Sequence, residues 1–248
     1  MSPPPHATYI QTMIHEILPV GILQCNCSIF GDPQSHEGIV IDPGDNIDQI
    51  LGILRQHGLK LKAIIITHAH IDHIGGAAKL KAATGAPVLM NAADQELYDK
   101  IDWQASWLNM PPPERTPIDA ALNEGDVVEL GGERGAAASA AVNEQDPAAN
   151  GAAGSPAARR FEILYTPGHT QGSISVWIPS ENKLIAGDTL FRDSIGRTDL
   201  PGGDGRQILR SIEAKLLPLP ENAIVVPGHG PNTTIGRERD RNPFLRGM

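Results

Sequence analysis

Residues 67–73, Thr-His-Ala-His-Ile-Asp-His, place the imidazoles of His68, His70 and His73 and the carboxylate of Asp72 within six positions. The cluster follows directly after an apolar stretch at 61–66. Neutral imidazole nitrogens and a carboxylate oxygen suit zinc, iron or manganese, and three histidines this close have few other physical uses. The alternative, a solvated polar loop, explains the pattern poorly. The cluster therefore predicts a metal enzyme.

The same arrangement recurs along the chain: an apolar strand ends at a turn and a ligand-type residue follows. Such strands are predicted at 64–66, 163–165, 184–186 and 224–226, and the residues that follow them are His68, His169, Asp188 and His229. In layered α/β proteins, sites are built from loops at the carboxyl ends of strands. With the first cluster, these ends supply five histidines and two aspartates, enough for two metal ions with open positions.

Composition limits the classes of partner and compartment. The 248 residues, 40% of them apolar, fit a single globular domain over 1–248. A net charge of -9 without a Lys/Arg cluster argues against a nucleic-acid partner. No stretch approaches about 18 apolar residues, so no membrane span is expected. The Pro-rich residues 1–7 resemble neither a secretory signal nor a transit peptide, and a cytoplasmic location is therefore expected.

The elements that must position the ligands alternate between strand and helix. Strands are predicted at 9–18, 27–30, 38–41, 61–66, 88–90, 127–130 and 161–165, and helices at 46–57 and 77–83, before Gly58 and Gly85. The first strands are expected to pair antiparallel, and 61–66 to be covered on both faces. This alternation predicts an α/β layered domain. Residues 131–158, rich in Ala, Gly, Asn and Ser, are interpreted as a flexible insertion.

Cys25 and Cys27 are the only cysteines. They alternate with Asn26 in a strand-like run, so their side chains are expected to share one face. We interpret them as small buried residues, since cysteine is among the most buried residue types.

Four ordered motifs carry a resemblance to a known family: Thr-His-Ala-His-Ile-Asp-His, Thr-Pro-Gly-His-Thr, Gly-Asp-Thr-Leu-Phe and Pro-Gly-His-Gly. Over most of residues 8–247 the chain resembles the metallo-β-lactamase-fold hydrolases, and among them glyoxalase II (hydroxyacylglutathione hydrolase) and its short bacterial relatives. The resemblance implies an α/β fold, a four-layer αβ/βα sandwich in which helices flank two mixed β-sheets. It also implies two divalent metal ions, zinc first, with iron or manganese as alternatives.

The resemblance also implies a ligand set. The first metal would be bound by His68, His70, His169 and Asp188, and the second by Asp72, His73, Asp188 and His229. Asp188 would bridge the ions, and Asp72 would also position a metal-bound hydroxide as a catalytic residue. Asp72 is expected at the start of a helix that begins at about Ile74, where the helix dipole favours its charged form. Asp42, in Ile-Asp-Pro-Gly, has a family counterpart that is not a ligand, so it is assigned to turn formation or to support of a ligand.

The implied activity is hydrolysis of a glutathione thioester similar to S-lactoylglutathione by a metal-bridging hydroxide, giving a hydroxy acid and glutathione. Two cations about 3.5 to 4 Å apart can share a water and make it a nucleophile near neutral pH. One alternative is a glutathione persulfide dioxygenase with a single iron on His68, His169 and Asp188, because that family shares the Gly-Arg-Thr-Asp motif of 196–199. Another is a different metal-dependent hydrolase of this fold. A β-lactamase role is less favoured, since no export signal is recognised.

Substrate contacts are predicted at three positions. The C-terminal helical domain through which glyoxalase II contacts glutathione is not expected in this chain. Arg197 is the first candidate for binding a substrate carboxylate, and the alternative is a buried ion pair with Asp193, Asp199 or Asp204. Trp103 and Trp107, one helical turn apart, form either a packed face or the edge of a pocket. The sequence leaves the oligomeric state open.

Overall fold

The computed structural model describes residues 12–131 and 158–246. Residues 132–157, which make up nearly all of the predicted insertion, and the first part of the predicted strand at 9–18 lie outside the described residues. In chain order the strands are β1 (Ile14–Val20), β2 (Cys25–Gly31), β3 (Glu37–Ile41), β4 (Lys60–Ile66), β5 (Val88–Met90), β6 (Ala120–Ala121), β7 (Val127–Leu130), β8 (Arg159–Tyr165), β9 (Ile174–Ile178), β10 (Lys183–Gly187), β11 (Leu190–Phe191), β12 (Ser194–Ile195), β13 (Ile224–Pro227) and β14 (Thr233–Thr234).

Twelve of these strands form two mixed sheets. The first sheet has the order β1-β2-β3-β4-β5-β6, antiparallel from β1 to β3 and parallel from β3 to β6. The second has the order β14-β13-β10-β9-β8-β7, in which only β10 and β13 pair parallel. Strands β11 and β12 form a separate hairpin. The antiparallel start and the two mixed sheets confirm the predicted topology.

The helices cover the outer faces of the sheets. They are α1 (Ile47–Gln56), α2 (Ile71–Ile74), α3 (Ala77–Thr84), α4 (Gln95–Asp99), α5 (Ile101–Trp107), α6 (Gly205–Ser211) and α7 (Ile235–Arg241). Short 3-10 turns lie at Ala92–Asp94 and Pro179–Glu181, and a π-helical turn at Ile212–Leu216 extends α6. Gly58 and Gly85, at the ends of the two predicted helices, both have positive φ, the conformation that glycine permits after a helix.

Three apolar clusters show why the fold has four layers. Side chains alternate across a strand, so Ile65 of β4 points between the sheets while Ile64 and Ile66 point outward. The cluster between the sheets joins residues such as Phe30 and Phe161, whose rings meet edge to face at 5.1 Å. A second cluster packs the outer face of the first sheet against helices, and a third does so for the second sheet. The helix-sheet-sheet-helix sandwich is therefore confirmed.

Each of the four candidate ligands predicted to follow a strand does so. His68 follows β4, His169 follows β8, Asp188 follows β10 and His229 follows β13. Strand β4 is central in its sheet and almost wholly buried, as its apolar run predicted. Among the described residues no helix is long and apolar enough to cross a membrane.

Candidate metal centre

The loop from β4 into α2 holds four of the candidate ligands. We predicted a helix beginning at about Ile74, with Asp72 just before it; this was wrong, because α2 begins at Ile71 and Asp72 lies in its first turn. The backbone N–H of Ile71 donates to Gln104 Oε1 at 2.9 Å, which fixes the start of the helix against α5. The early start turns Asp72 and His73 toward the same centre as the histidines before them.

The first set of donors consists of His68, His70 and His169. Nitrogen atoms of the three rings lie within 4.8 Å of one another. His70 Nδ1 and His169 Nε2 are 2.9 Å apart, and the ring of His68 stands edge-on to both neighbours. Three imidazoles that converge in this way match a common first-row metal site.

The second set consists of Asp72, His73 and His229, whose donor atoms also lie within 4.8 Å of one another. His229 Nε2 is 3.0 Å from Asp72 Oδ2 and 3.4 Å from His73 Nε2. Carboxylate oxygen and imidazole nitrogen again suit zinc, iron or manganese.

Asp188 lies between the two sets. Its Oδ1 is 3.5 Å from His73 Nε2, and its Oδ2 is 3.6 Å from His169 Nε2 and 3.8 Å from His229 Nε2. Gly228 packs against this carboxylate so closely that an added Cβ would come within 2.1 Å of Oδ1. Only glycine leaves room for Asp188 to occupy the position predicted for a bridging ligand.

Two orphaned atoms show that the centre fits metal ions. Among the described residues, His68 Nε2 and Asp188 Oδ1 are the buried side-chain polar atoms without a hydrogen-bond partner. Burying such an atom unpaired is costly, so native structures normally supply a partner, often an ion. Both atoms belong to donor sets of metal-site dimensions. A pair of divalent cations would satisfy them.

The histidine nitrogens that point away from the centre are bound by the protein. His169 Nδ1 donates to the Arg197 carbonyl oxygen at 2.8 Å, and His229 Nδ1 donates to the Leu23 carbonyl oxygen at 3.0 Å. His68 Nδ1 donates to Thr67 Oγ1 at 3.1 Å. Each bond places the proton on Nδ1 and leaves the Nε2 lone pair directed inward, the usual support for a metal-binding histidine.

Asp42 supports the second set, one of the two roles expected for it. Its Oδ2 accepts from His73 Nδ1 at 2.9 Å and from Thr67 Oγ1 at 2.7 Å, while Oδ1 accepts from the Thr67 backbone N–H at 2.7 Å. The carboxylate is 3% exposed, so these bonds are not shared with bulk water. Asp42 thereby ties His73 to the residue that precedes His68.

Sequence reasoning missed Asp94, which lies at the end of a 3-10 turn and is 1% exposed. Its Oδ2 accepts from Ala69 N at 2.9 Å and from Thr170 Oγ1 at 2.8 Å, and its Oδ1 accepts from Gly172 N at 2.6 Å. Asp94 therefore joins the loop of His68 and His70 to the loop of His169. Its partners are 25 to 78 residues away, so no local pattern indicated this role.

The five histidines of the candidate centre fall into two groups by the direction of their pKa shifts. Burial lowers the pKa of His68, of His169 and of His70, the last to about 3, so these three imidazoles are neutral at pH 7. Burial acts the same way on His73 and His229, but nearby carboxylates overcome it and raise both pKa values. A cation in the second set therefore competes with protons for these nitrogens.

Asp72 is held in its charged form. Burial favours the neutral acid, but the adjacent imidazoles of His73 and His229 outweigh that effect and keep the pKa of Asp72 below its usual range. The group thus remains an acceptor at neutral pH.

Both cysteines are free and buried, as expected, and both belong to the cluster on the outer face of the first sheet. Cys25 Sγ lies 3.5 Å from His73 Nδ1, on the side of the ring away from the centre. Burial raises the pKa of the Cys25 thiol to about 12, so at pH 7 it is not a thiolate ligand.

The predicted substrate contacts lie at the surface. Arg197 pairs with Asp199 through two bonds of 2.8 Å, but the side chains are 60% and 69% exposed, so the expectation of a buried pair was wrong. Of the other two carboxylates considered, Asp193 pairs with Arg237 and Asp204 caps α6.

Trp103 and Trp107 contact each other with ring centroids 3.8 Å apart and are 41% and 53% exposed. Neither lines the cavity beside Asp72. Their predicted contact with substrate stays a prediction.

That cavity has a volume of about 400 Å³ and opens beside the second set of donors. Its walls come from the turn between β1 and β2, from α1 and α2, and from the segment that follows α5. The residues that line it are Gly21, Ile22, Leu23, Gly44, Asp45, Ile47, Ile71, Asp72, Gly75, Gly76, Lys79, Leu108, Met110, Pro111, Pro112, Pro113 and Glu114. A substrate in this cavity would lie beside Asp72 and therefore next to the candidate metal ions.

The family profile described as "Metallo-beta-lactamase superfamily" matches residues 20–229, a span that contains every candidate ligand. The chain belongs to this superfamily. As a member of the metallo-β-lactamase superfamily, it is a metal-dependent hydrolase, and its two donor sets have the dimensions of metal sites.

Three similar proteins show which members of the superfamily this chain resembles. "Hydroxyacylglutathione hydrolase GloC" of Haemophilus influenzae is 36% identical, and the match covers 93% of this chain and 97% of that protein. The structure "BLEG-1 B3 metallo-beta-lactamase" is 32% identical with a TM-score of 0.76, covering 94% of this chain and all of the other. "TTHA1623 in a di-iron-bound form" is also 32% identical, with a TM-score of 0.74 and coverage of 93% and 100%.

Proposed function

We propose that the protein hydrolyses a glutathione thioester similar to S-lactoylglutathione, releasing a hydroxy acid and glutathione. The observation that carries this proposal is the meeting of two donor sets at Asp188, directly beside a cavity that Asp72 lines. An arrangement for two cations favours hydrolysis over a single-iron reaction. An iron bound by His68, His169 and Asp188 alone would leave the second donor set without an ion.

The relatives support this choice. One is named for the hydrolysis of hydroxyacylglutathione, and another was solved with two irons bound. We propose two ions in this chain as well, with zinc first and iron or manganese as alternatives. His68, His70, His169 and Asp188 would bind one ion, and Asp72, His73, Asp188 and His229 the other.

When bound, such a pair of cations supplies a water nucleophile near neutral pH and polarises the substrate carbonyl. The charged Asp72 carboxylate would accept a hydrogen bond from that water and so direct the water's lone pair at the carbonyl carbon. The thiol formed from the leaving group has a pKa of about 8.5, so the thiolate can depart without protonation by a strong general acid. A thioester therefore suits a centre that offers carboxylates and imidazoles without a separate acid.

Arg197 contributes in two ways. Its carbonyl oxygen fixes the ring of His169, while its exposed guanidinium is available for a substrate carboxylate in exchange for Asp199. Because the bond to His169 comes from the backbone, removing the side chain leaves the ligand in place.

The first test is purification without added metal, followed by metal counting and three parallel assays, with S-lactoylglutathione, glutathione persulfide and nitrocefin. We expect two ions per chain and hydrolysis of the thioester. One iron per chain with oxygen uptake on persulfide would establish the dioxygenase instead. Hydrolysis of nitrocefin alone would place the chain with the relative named as a B3 metallo-β-lactamase.

Substitutions separate the roles of the site residues. His70→Ala and Asp188→Ala should lose bound metal and lower kcat/KM by more than about 100-fold, since loss of outer partners alone costs about 10 to 100-fold. Arg197→Ala should retain both ions and chiefly raise KM, by roughly three- to tenfold for an exposed contact. Arg206→Ala, an exposed change on α6, is the control. Full turnover by the Asp188 variant would refute the shared ligand.

A further inference from the structure

The cavity beside Asp72 has walls whose chemistry points to a particular part of the substrate. The more buried part of its lining includes the apolar side chains of Ile47, Ile71 and Leu108, while the exposed Ile22 and Leu23 stand at the turn between β1 and β2. A volume of about 400 Å³ lies in the range of cavities that hold a small organic ligand. A lactoyl group adds only a hydroxyethyl group to its carbonyl and would leave most of this space unfilled.

The cavity offers few hydrogen-bond donors to a hydroxylated acyl group. One wall is made of Pro111, Pro112 and Pro113, which have no backbone N–H. On the floor, the Gly44 N–H already donates to the Asp42 carbonyl oxygen at 2.9 Å, and the Gly75 N–H donates to that of Ile71 at 2.8 Å. A hydroxyl beside these walls has the carboxylates of Asp45, Asp72 and Glu114 as its side-chain acceptors, whereas an alkyl chain leaves water without losing a hydrogen bond.

The charges at the mouth indicate which part of a thioester stays outside. Asp45, Lys79 and Glu114 are exposed at the edge of the cavity, two acids against one base. Glutathione carries two carboxylates and one ammonium group, so this edge does not favour it. Arg197 lies instead beside His169 of the first donor set. The thiol part of the substrate therefore belongs on the Arg197 side, and the acyl part on the Asp72 side.

We propose that this cavity binds the acyl part of the thioester and that, among glutathione thioesters, kcat/KM is higher for longer, apolar acyl groups than for the lactoyl group. The inference rests on the proposed thioester hydrolysis and names its substrate class. Each methylene buried against these walls should raise kcat/KM by up to about fourfold, the effect of removing one such group from water.

The test uses the metal-loaded protein and a series of S-acylglutathiones: lactoyl, acetyl, butanoyl and hexanoyl. We expect kcat/KM to rise along the unbranched series, with hexanoyl well above lactoyl. Met110→Trp, which fills the cavity from its half-buried edge, should remove this rise with chain length. Ile22→Ser, a change at a 66% exposed side chain that cannot unfold the core, should reduce the gain per methylene. Ser106→Trp, on the exposed side of α5 outside the cavity, is the matched control.

A binding series separates this inference from the proposed function. S-Methyl, S-butyl and S-hexylglutathione cannot be hydrolysed, and calorimetry with them should show affinity rising with chain length and the rise lost in Met110→Trp. Thioethers that bind with this dependence, without turnover of any thioester, would overturn the hydrolase proposal but support the apolar cavity. A flat or falling dependence in both series, or equal losses for every chain length in Met110→Trp, would overturn the inference.

Discussion

At the scale of single residues, the candidate centre depends on side chains that are not ligands. Asp42 is the clearest case, because one buried carboxylate holds His73 through its ring and Thr67 through both backbone and hydroxyl. Outer partners of this kind orient a ligand and keep its inward lone pair available. Asp42 therefore lies in the tight turn of Ile-Asp-Pro-Gly and also supports the candidate centre.

We predict that Asp42→Ala lowers the affinity for the second metal ion by about 10 to 100-fold and leaves the first ion bound more tightly. The protein should also be destabilised by about 1 to 3 kcal/mol, because buried donors of Thr67 and His73 lose their acceptor. Metal titration with a chromogenic chelator and thermal unfolding measure the two effects. Asp48→Ala, an exposed change on α1, serves as control. Equal loss of both ions would show that Asp42 does not act through His73.

At the scale of elements, the centre is assembled from loops that follow strands of different sheets. The loop after β4 belongs to the first sheet, and those after β8, β10 and β13 belong to the second. The strands are rigid and buried, but the loops need a separate connection to keep the donors in register. Asp94 provides it by accepting bonds from the loop after β4 and from the loop after β8.

Asp94→Ala should therefore weaken binding of the first metal ion by roughly 10-fold or more, although Asp94 contacts no ligand side chain. Asp94→Asn keeps one acceptor oxygen and turns an NH2 group toward backbone donors, so we expect an intermediate loss. The measurement is metal affinity at pH 7 together with kcat/KM at saturating metal. If added metal restores kcat/KM in both variants, the residue positions the loops; an activity loss that metal does not rescue would contradict this role.

At the scale of the whole molecule, metal ions would join the two sheets. His68, His70, Asp72 and His73 come from the first sheet, whereas His169, Asp188 and His229 come from the second. The apolar cluster between the sheets also holds them together, so we expect the sandwich to fold without ions and bound ions to add to its stability.

We predict that chelation lowers Tm without loss of the fold. An ion that binds only the folded state stabilises it by about 2.7 kcal/mol at 100 times its Kd. Circular dichroism before and after treatment with EDTA should show the same secondary structure and a reduced Tm that returns when zinc is added. An unchanged Tm would indicate that the donor sets bind no ion across the sheets.

The predicted insertion is a second feature of the whole molecule. Leu130 of β7 pairs directly with Arg159 of β8, so the segment between them leaves and returns at one point of a hairpin. Deleting residues 132–157 joins Gly131 to Ala158, and a two-residue loop beginning with glycine suits a type II′ turn. We expect the shortened protein to retain both ions and kcat/KM within about twofold. A large loss of activity at unchanged Tm would assign the segment a part in the reaction.

Local sequence determined much of this protein. Apolar runs bounded by turn residues predicted many of the strands, and glycines marked the ends of α1 and α3. Ligand-type residues directly after strands marked the candidate centre, because these signals depend only on neighbouring residues. Among the described residues, β1 begins at Ile14 and extends to Val20, beyond its predicted end at 18. Helix α2 was predicted to begin too late, because a four-residue helix has too few positions for a period to be seen.

The tertiary structure alone decided the rest. The link that Asp94 makes between two loops and the cavity with its proline wall bring together residues far apart in the chain. Such contacts form only when two sheets pack and their loops meet, and no spacing within one segment encodes them. The motifs thus indicated the candidate ligands. The contacts that support these residues and the shape of the cavity beside them arise from packing.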